Sequence, residues 1–255
     1  MTRSNKIPSA AANARKVLMI HGYAQNAKTF GKRTAALRKA CAPNIEMVYL
    51  DGPHILQSTD MVFASPLESL EEAGEATADP GMAPRGWKFK FKITPEDLEP
   101  GVAESLEAIK DALSKDTYVG IFGFSQGAGI AATVAALLER PHLYPPFIVD
   151  GKPIHPPLEF LVSVAGYRPS GPIQTPLFIP SYSTPTLHVR GRTDMVVVEE
   201  RSNQLIEVST NKRVEYHPGG HVVPAQKPWR DFFKAWMLDP KADIPSPTPP
   251  TQGNS

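Results

Sequence analysis

Three side chains have the types and the chain order for covalent acyl chemistry: Ser125, Asp194 and His221. A serine hydroxyl is a poor nucleophile at its own pKa. It needs an adjacent imidazole to take its proton, and that imidazole needs a carboxylate to orient it. Ser125 lies in Gly123-Phe124-Ser125-Gln126-Gly127, a Gly-x-Ser-x-Gly pattern. The spacing suits a nucleophile on a tight strand-to-helix turn, where side chains two positions to either side would clash with it. A helix N-terminus behind the serine also favours negative charge developing beside it. A glycine-rich junction that only packs closely, or a phosphate-binding turn, would share the pattern. The Walker spacing Gly-x-x-x-x-Gly-Lys-Ser/Thr is absent at Gly123.

Rivals exist for the two partners. For the base, His217 lies four residues before His221. His217 would end a strand, whereas His221 sits in Pro218-Gly219-Gly220-His221, a turn from which an imidazole can reach across. For the acid, Glu199 and Asp51 compete with Asp194, which also reads as a turn or helix-capping aspartate. His217 and His221 as a metal pair would need a helix, which Pro218-Gly219-Gly220 disfavours, and no acidic third ligand is spaced as in metalloproteases. No metal is therefore expected. An oxyanion would need two backbone donors: the N–H of Gln126 at the helix start and that of Tyr23 after the first strand. His21 reads as a brace for that loop rather than a proton carrier.

The elements that must position these groups alternate at α/β spacing. Lys16–Ile20 is a continuous apolar run, as in a parallel strand buried on both faces. A helix over 27–41 and a strand over 45–50 follow. Residues 54–98 break the rhythm with a long, proline-containing connection of the kind that forms lids and binding loops. Its apolar residues, among them Phe63, Trp87 and Phe91, are candidates to wall a pocket. Arg85-Gly86-Trp87 is the part expected nearest a site, and Arg85, Trp87 and His21 are the candidate substrate-pocket residues. Helical periodicity covers 98–113 through Val102, Leu106, Ile109 and Leu113. Then come a strand over 118–122 and a helix over 126–139, rich in alanine and leucine. Strands over 159–165, 186–190 and 212–217 and helices over 196–209 and 224–238 complete the pattern. Ser125, Asp194 and His221 each follow a strand, where sites gather in open α/β sheets.

The whole is one domain over 15–238, with a flexible leader (1–14) and a disordered Pro/Ser/Thr-rich tail (239–255). The 255 residues are 41% hydrophobic and 21% charged, enough for a sizeable core. A net charge of +1 makes no broad electrostatic case for nucleic acid or an anionic membrane. The single cysteine, Cys41, allows no intramolecular disulfide and fits a reducing compartment. No apolar run approaches the roughly 20 residues of a membrane span, and residues 1–14 lack a signal-like apolar core. A cytoplasmic or nuclear location is expected.

Six spaced blocks carry a family resemblance: 18–26, 49–54, 120–127, 164–168, 187–194 and 217–224. Their sequences are LMIHGYAQN, YLDGPH, GIFGFSQG, VAGYR, LHVRGRTD and HPGGHVVP. Together, across about residues 16–237, the chain resembles the fungal family of serine hydrolases, which includes esterases and polyketide-releasing thioesterases. The resemblance implies an α/β-hydrolase fold, a mostly parallel sheet of about six strands flanked by helices. It also implies Ser125, Asp194 and His221 as the triad and cofactor-free hydrolysis of a small acyl ester or thioester. One departure is Arg85-Gly86-Trp87-Lys88-Phe89, where the family often carries two adjacent tryptophans after the arginine. Two other readings stay open at this point: a serine-dependent acyltransferase or thioesterase in a biosynthetic pathway, and a non-catalytic binding module on a hydrolase fold.

Overall fold

A computed structural model of the chain describes residues 14–57, 80–88 and 101–248. Nearly all of the leader, Phe63 and Phe91 of the long connection, and the last residues of the tail lie outside the described residues. The core is a six-stranded sheet. Its strands are β1 (Arg15–Ile20), β2 (Ile45–Leu50), β3 (Gly120–Phe124), β4 (Phe160–Val164), β5 (Thr186–Gly191) and β6 (Lys212–His217). The order is β6-β5-β4-β3-β1-β2, and every neighbouring pair is parallel. The chain therefore reverses its winding between β1 and β3, so the crevice above their carboxyl ends is the topological switch point where α/β sheets hold their ligands.

The central strands are apolar on both faces because both are covered. Val17 and Met19 join a cluster with Phe30, Leu37, Phe122 and Phe233, whereas Leu18 and Ile20 join one with Leu106, Ile109, Ile121 and Leu161. The alternation is the period of two that a strand imposes. The first layer is supplied by α1 (Ala27–Arg33), α2 (Ala35–Cys41) and a C-terminal helix, Lys227–Leu238. The second is supplied by α3 (Val102–Lys115) and α4 (Gln126–Glu139). Every residue of α4 from Gln126 to Leu138 is buried, as its all-round apolar sequence requires. Helix α5 (Glu199–Glu207) precedes β6, and the C-terminal helix is α6.

Most boundaries fall near those read from the sequence. The helix expected over 27–41 is divided at Thr34. The Thr34 hydroxyl donates back to the Phe30 carbonyl (2.8 Å) and meets the Tyr49 hydroxyl (2.6 Å), a back-bond that bends helices. The helix expected from 196 begins at Glu199, because residues 196 and 197 donate their N–H groups to Asp194 instead. Residues 239–248, expected in the disordered tail, lie against the body. Ile244 packs on the core, and the Ser246 and Thr248 hydroxyls donate to Glu215 and to the Tyr216 carbonyl (both 2.6 Å). Among the described residues no helix is long and apolar enough to cross a membrane, and no cluster of His, Cys, Asp and Glu could hold a metal.

Candidate active site

Ser125 stands between β3 and α4 with φ 53° and ψ −120°, a conformation that costs a non-glycine residue about 1–3 kcal/mol. The surroundings impose it. Its N–H donates to the Val164 carbonyl on β4 (2.9 Å), and its carbonyl accepts from Ala128 (3.0 Å). The flanking glycines are needed, but for a reason other than relief of the serine itself. A Cβ on Gly123 would lie 2.6 Å from Ala128 Cα and from the Gly127 carbonyl, inside the helix backbone. A Cβ on Gly127 would overlap the carbonyls of Ile20 and His21 at the end of β1. The pattern lets a helix start hard against two strand ends, with Ser125, itself largely buried, held between them.

His221 reaches the serine from the loop after β6. Its Nε2 accepts from Ser125 Oγ at 2.9 Å, and its Nδ1–H donates to Asp194 Oδ2 at 2.8 Å. The other carboxylate oxygen, Asp194 Oδ1, accepts the N–H groups of Val196 and Val197, both at 2.9 Å. Burial works to raise the Asp194 pKa, but the hydrogen bond and charge of His221 and the two backbone donors outweigh it. The carboxyl is held below its ordinary range. An ionised Asp194 fixes the proton on His221 Nδ1 and leaves Nε2 as the acceptor for the serine proton. Gly191 makes the approach possible, since a Cβ there would overlap the carbonyls of Gly219 and Gly220. The His221 ring also rests on Phe124, with centroids 5.0 Å apart.

The loop after β1 completes the site. The parallel register pairs Ile20 with Gly123, which brings Gly22 level with Ser125. A Cβ on Gly22 would lie 3.4 Å from that of Ser125 and 2.9 Å from the Phe124 ring. The Tyr23 backbone thus follows directly beside the serine, while Gln126 opens α4, where the first N–H groups have no intrahelical acceptor.

The three candidate pocket residues lie behind this loop and brace it. His21 is fully buried. Its Nε2 accepts the Gly52 N–H (2.9 Å) and its Nδ1–H donates to the Gly22 carbonyl (2.7 Å). Burial pushes its pKa down to about 4, against the opposing hydrogen bond to Gly22. Trp87 is equally buried. Its indole N–H donates to the His21 carbonyl (2.9 Å), and its rings stand 5.1 Å from the His21 ring. The Arg85 guanidinium donates to the Gly52 carbonyl (3.0 Å), and its backbone N–H donates to Gln25 (2.8 Å).

One positioning residue escaped the sequence reading of side chains. Gln126 Oε1 accepts the Trp87 N–H (2.8 Å) and its Nε2 donates to the Lys88 carbonyl (3.2 Å), which ties the 85–88 segment to the turn at Ser125. Its sequence signal is a polar side chain at the start of a helix otherwise built almost wholly from small and aliphatic residues.

The rivals are occupied elsewhere. His217 is buried, accepts the Gly219 N–H at Nδ1 (3.2 Å) and stands edge-on to Trp229. Glu199 pairs with Arg190 at 3.3 Å. Asp51 accepts the Ala27 N–H (2.7 Å) at the start of α1 and lies 4.0 Å from Arg85. Of the proposed acids and bases, only Asp194 and His221 form a chain that ends on Ser125.

Known proteins share this arrangement of sequence and fold. A family model described as serine hydrolase (FSH1) matches residues 11–233. Esterase OVCA2 of Danio rerio is 34% identical over 237 residues, covering 87% of this chain and 97% of the relative. A Schizosaccharomyces pombe protein named dihydrofolate reductase is 32% identical over 239 residues, covering 92% of this chain. The match spans only 49% of that longer protein's length. Among solved structures, acyl-protein thioesterase 2 of Zea mays superposes with a TM-score of 0.55 at 17% identity, covering 89% of this chain and 93% of that one. That likeness bears on the fold, which is that of the α/β hydrolases. With the match to the family model extending over most of its length, the chain belongs to the FSH1 family of serine hydrolases.

Proposed function

We propose that the protein hydrolyses carboxylic esters or thioesters through an acyl-enzyme on Ser125. The observation that carries this reading is the continuous chain Asp194–His221–Ser125, with bonds of 2.8 and 2.9 Å. His221 Nε2 takes the hydroxyl proton as Ser125 Oγ attacks the carbonyl carbon. The imidazolium that forms is stabilised by Asp194, which stays ionised. The oxyanion of the tetrahedral intermediate is held by the N–H groups of Gln126 and Tyr23, aided by the start of α4. The intermediate collapses, and the alcohol or thiol leaves with the proton from His221. Water then attacks the acyl-enzyme by the same route and releases the acid. The esterase name of the Danio rerio relative supports this choice of substrate class.

The test is hydrolysis of p-nitrophenyl esters with acyl chains from two to sixteen carbons, with Ser125→Ala alongside. The expected result is a defined chain-length optimum and a loss on the order of 10⁶ in the variant, as when a triad acts as a unit. Retention of most activity in Ser125→Ala overturns the assignment.

A further inference from the structure

His217 is no member of the chain that ends on Ser125, yet its ring grips the turn from which His221 reaches the serine. It closes β6, and only Pro218, Gly219 and Gly220 separate it from His221. The imidazole folds back on that turn. Its Nδ1 accepts the Gly219 N–H at 3.2 Å. A Cβ on Gly219 would lie 3.2 Å from the same nitrogen and 3.4 Å from Cε1, so the peptide sits directly on the ring. Gly219 also meets the loop that carries the acid, because its carbonyl accepts the Thr193 N–H (3.3 Å). The His217 carbonyl accepts the Arg192 N–H (2.9 Å) from that loop as well. The loops of base and acid are thus joined by two backbone bonds, and one of them runs through the residue that His217 holds.

The ring can do this in one form only. To accept an N–H, Nδ1 must be bare, which places the ring proton on Nε2. Nε2 is buried and finds no partner among the described residues, so the bond to Gly219 is the one polar contact the ring makes there. The side chain as a whole is buried, with Trp229 of α6 edge-on to it at 5.8 Å between centroids. Burial lowers its pKa against the opposing charge of Asp194, which favours the neutral ring. An aliphatic side chain could fill this space. What the imidazole adds is the acceptor.

We infer that His217 is a positioning residue for the reaction: its Nδ1 fixes the Gly219 peptide, and through it the reach of His221 to Asp194 and Ser125. The inference rests on the ester-hydrolase reading and adds to it the group that sets the geometry of the base. His217 itself touches no reacting atom. Its effect is one of placement, and a misplacement of about 1 Å in such a site costs about 10²-fold in rate.

Two variants separate the acceptor from the bulk. His217→Leu keeps a branched apolar side chain and removes the acceptor. His217→Asn loses ring volume but puts its Oδ1 where Nδ1 stands. Hydrolysis of p-nitrophenyl butyrate is followed in the full chain, with kcat expressed per active site counted by the endpoint of fluorophosphonate labelling. That count removes any loss due to unfolded protein. The expected result is a fall in kcat of about 30–100-fold in His217→Leu with KM within about threefold, and recovery to within about fivefold of the parent in His217→Asn. Parent-like kcat in His217→Leu, or a fall in His217→Asn as deep as in His217→Leu, overturns the inference. If neither variant folds, the imidazole nitrogen NMR shifts of His217 in the parent decide. A bare Nδ1 and a protonated Nε2 are expected, and a protonated Nδ1 overturns the inference. Absence of Ser125-dependent hydrolysis in the parent overturns the hydrolase reading itself, a separate result.

Discussion

Two histidines follow parallel strands at the same edge of the sheet, His21 after β1 and His221 after β6, and their loops are built on opposite plans. Both nitrogens of His21 are bonded to backbone, to Gly22 and Gly52, and the ring is sealed beneath Trp87. Both nitrogens of His221 are bonded to side chains, to Asp194 and Ser125, and 13% of its side chain remains exposed. His21 accepts a backbone N–H at one nitrogen and donates at the other, so its neutral tautomer is locked and burial opposes protonation. His221 faces an ionised carboxylate on one side and a transferable proton on the other. The same imidazole thus serves as a strut in one loop and as the proposed base in the other. The difference lies in what holds its two nitrogens and in access to water.

The largest expected effect sharpens the His221 side of this contrast. Asp194→Asn can keep the bonds from Val196 and Val197 through its carbonyl oxygen, which leaves an amide N–H facing His221 Nδ1. The ring then carries its proton on Nε2 and cannot accept one from Ser125. Turnover should fall by about 10⁴-fold while the thermal midpoint stays near the parent's. Wild-type turnover in this variant would remove Asp194 from the proposed triad.

A smaller effect is expected on the other side. His21→Ala leaves the Gly52 N–H without its buried acceptor and opens a space beside Trp87. Urea unfolding should report a loss of about 2–4 kcal/mol. The pH profile of kcat/KM should keep its inflections, because His21 carries no proton in the reaction. A displaced inflection would make His21 part of the chemistry.

The smallest effect is a slope. The unfolded chain protonates His21 near pH 6.5, whereas the folded chain holds it neutral down to about 4. The unfolded state therefore binds more protons in that window, and stability rises with pH across it. The contribution is intact above about pH 6.5 and declines by about 1.4 kcal/mol per pH unit as pH falls toward 4. His188, pushed down to about 3 by burial and by the neighbouring cations Lys212 and Arg190, adds to the same slope. Denaturant unfolding at pH 7, 6 and 5 measures it, and His21→Ala should flatten it. A variant as steep as the parent would show that His21 is not a source of the slope.

The glycines show how far residue types alone could carry the reading. Gly-x-Ser-x-Gly pointed to a turn with a serine on it only together with the strand before it and the helix after it, since other glycine-rich junctions share the spacing. The partners that make Gly123 and Gly127 obligatory are the backbone of α4 and the end of β1, and the latter is distant in sequence. Trp87 shows the converse. Its position in a long loop beside Arg85 suggested a pocket wall, yet a large apolar ring with one N–H donor can equally fill a gap and satisfy one buried carbonyl. Only the presence of the His21 carbonyl at 2.9 Å chooses between the two.

Local chemistry therefore determined the strands, most helices and the order serine, acid, histidine, since apolar periodicity and turn residues act over a few positions. Turn position and chain order already favour His221 over His217, and Asp194 over Glu199 and Asp51. What the tertiary structure adds is the bonded chain that joins them to Ser125. That chain depends on which loops the parallel sheet brings to one edge, and on the absence of a Cβ at Gly191 that lets two of them touch. The bracing role of Trp87 belongs to the same level. It joins groups from distant segments across a few ångströms, and such a contact leaves no period in the chain.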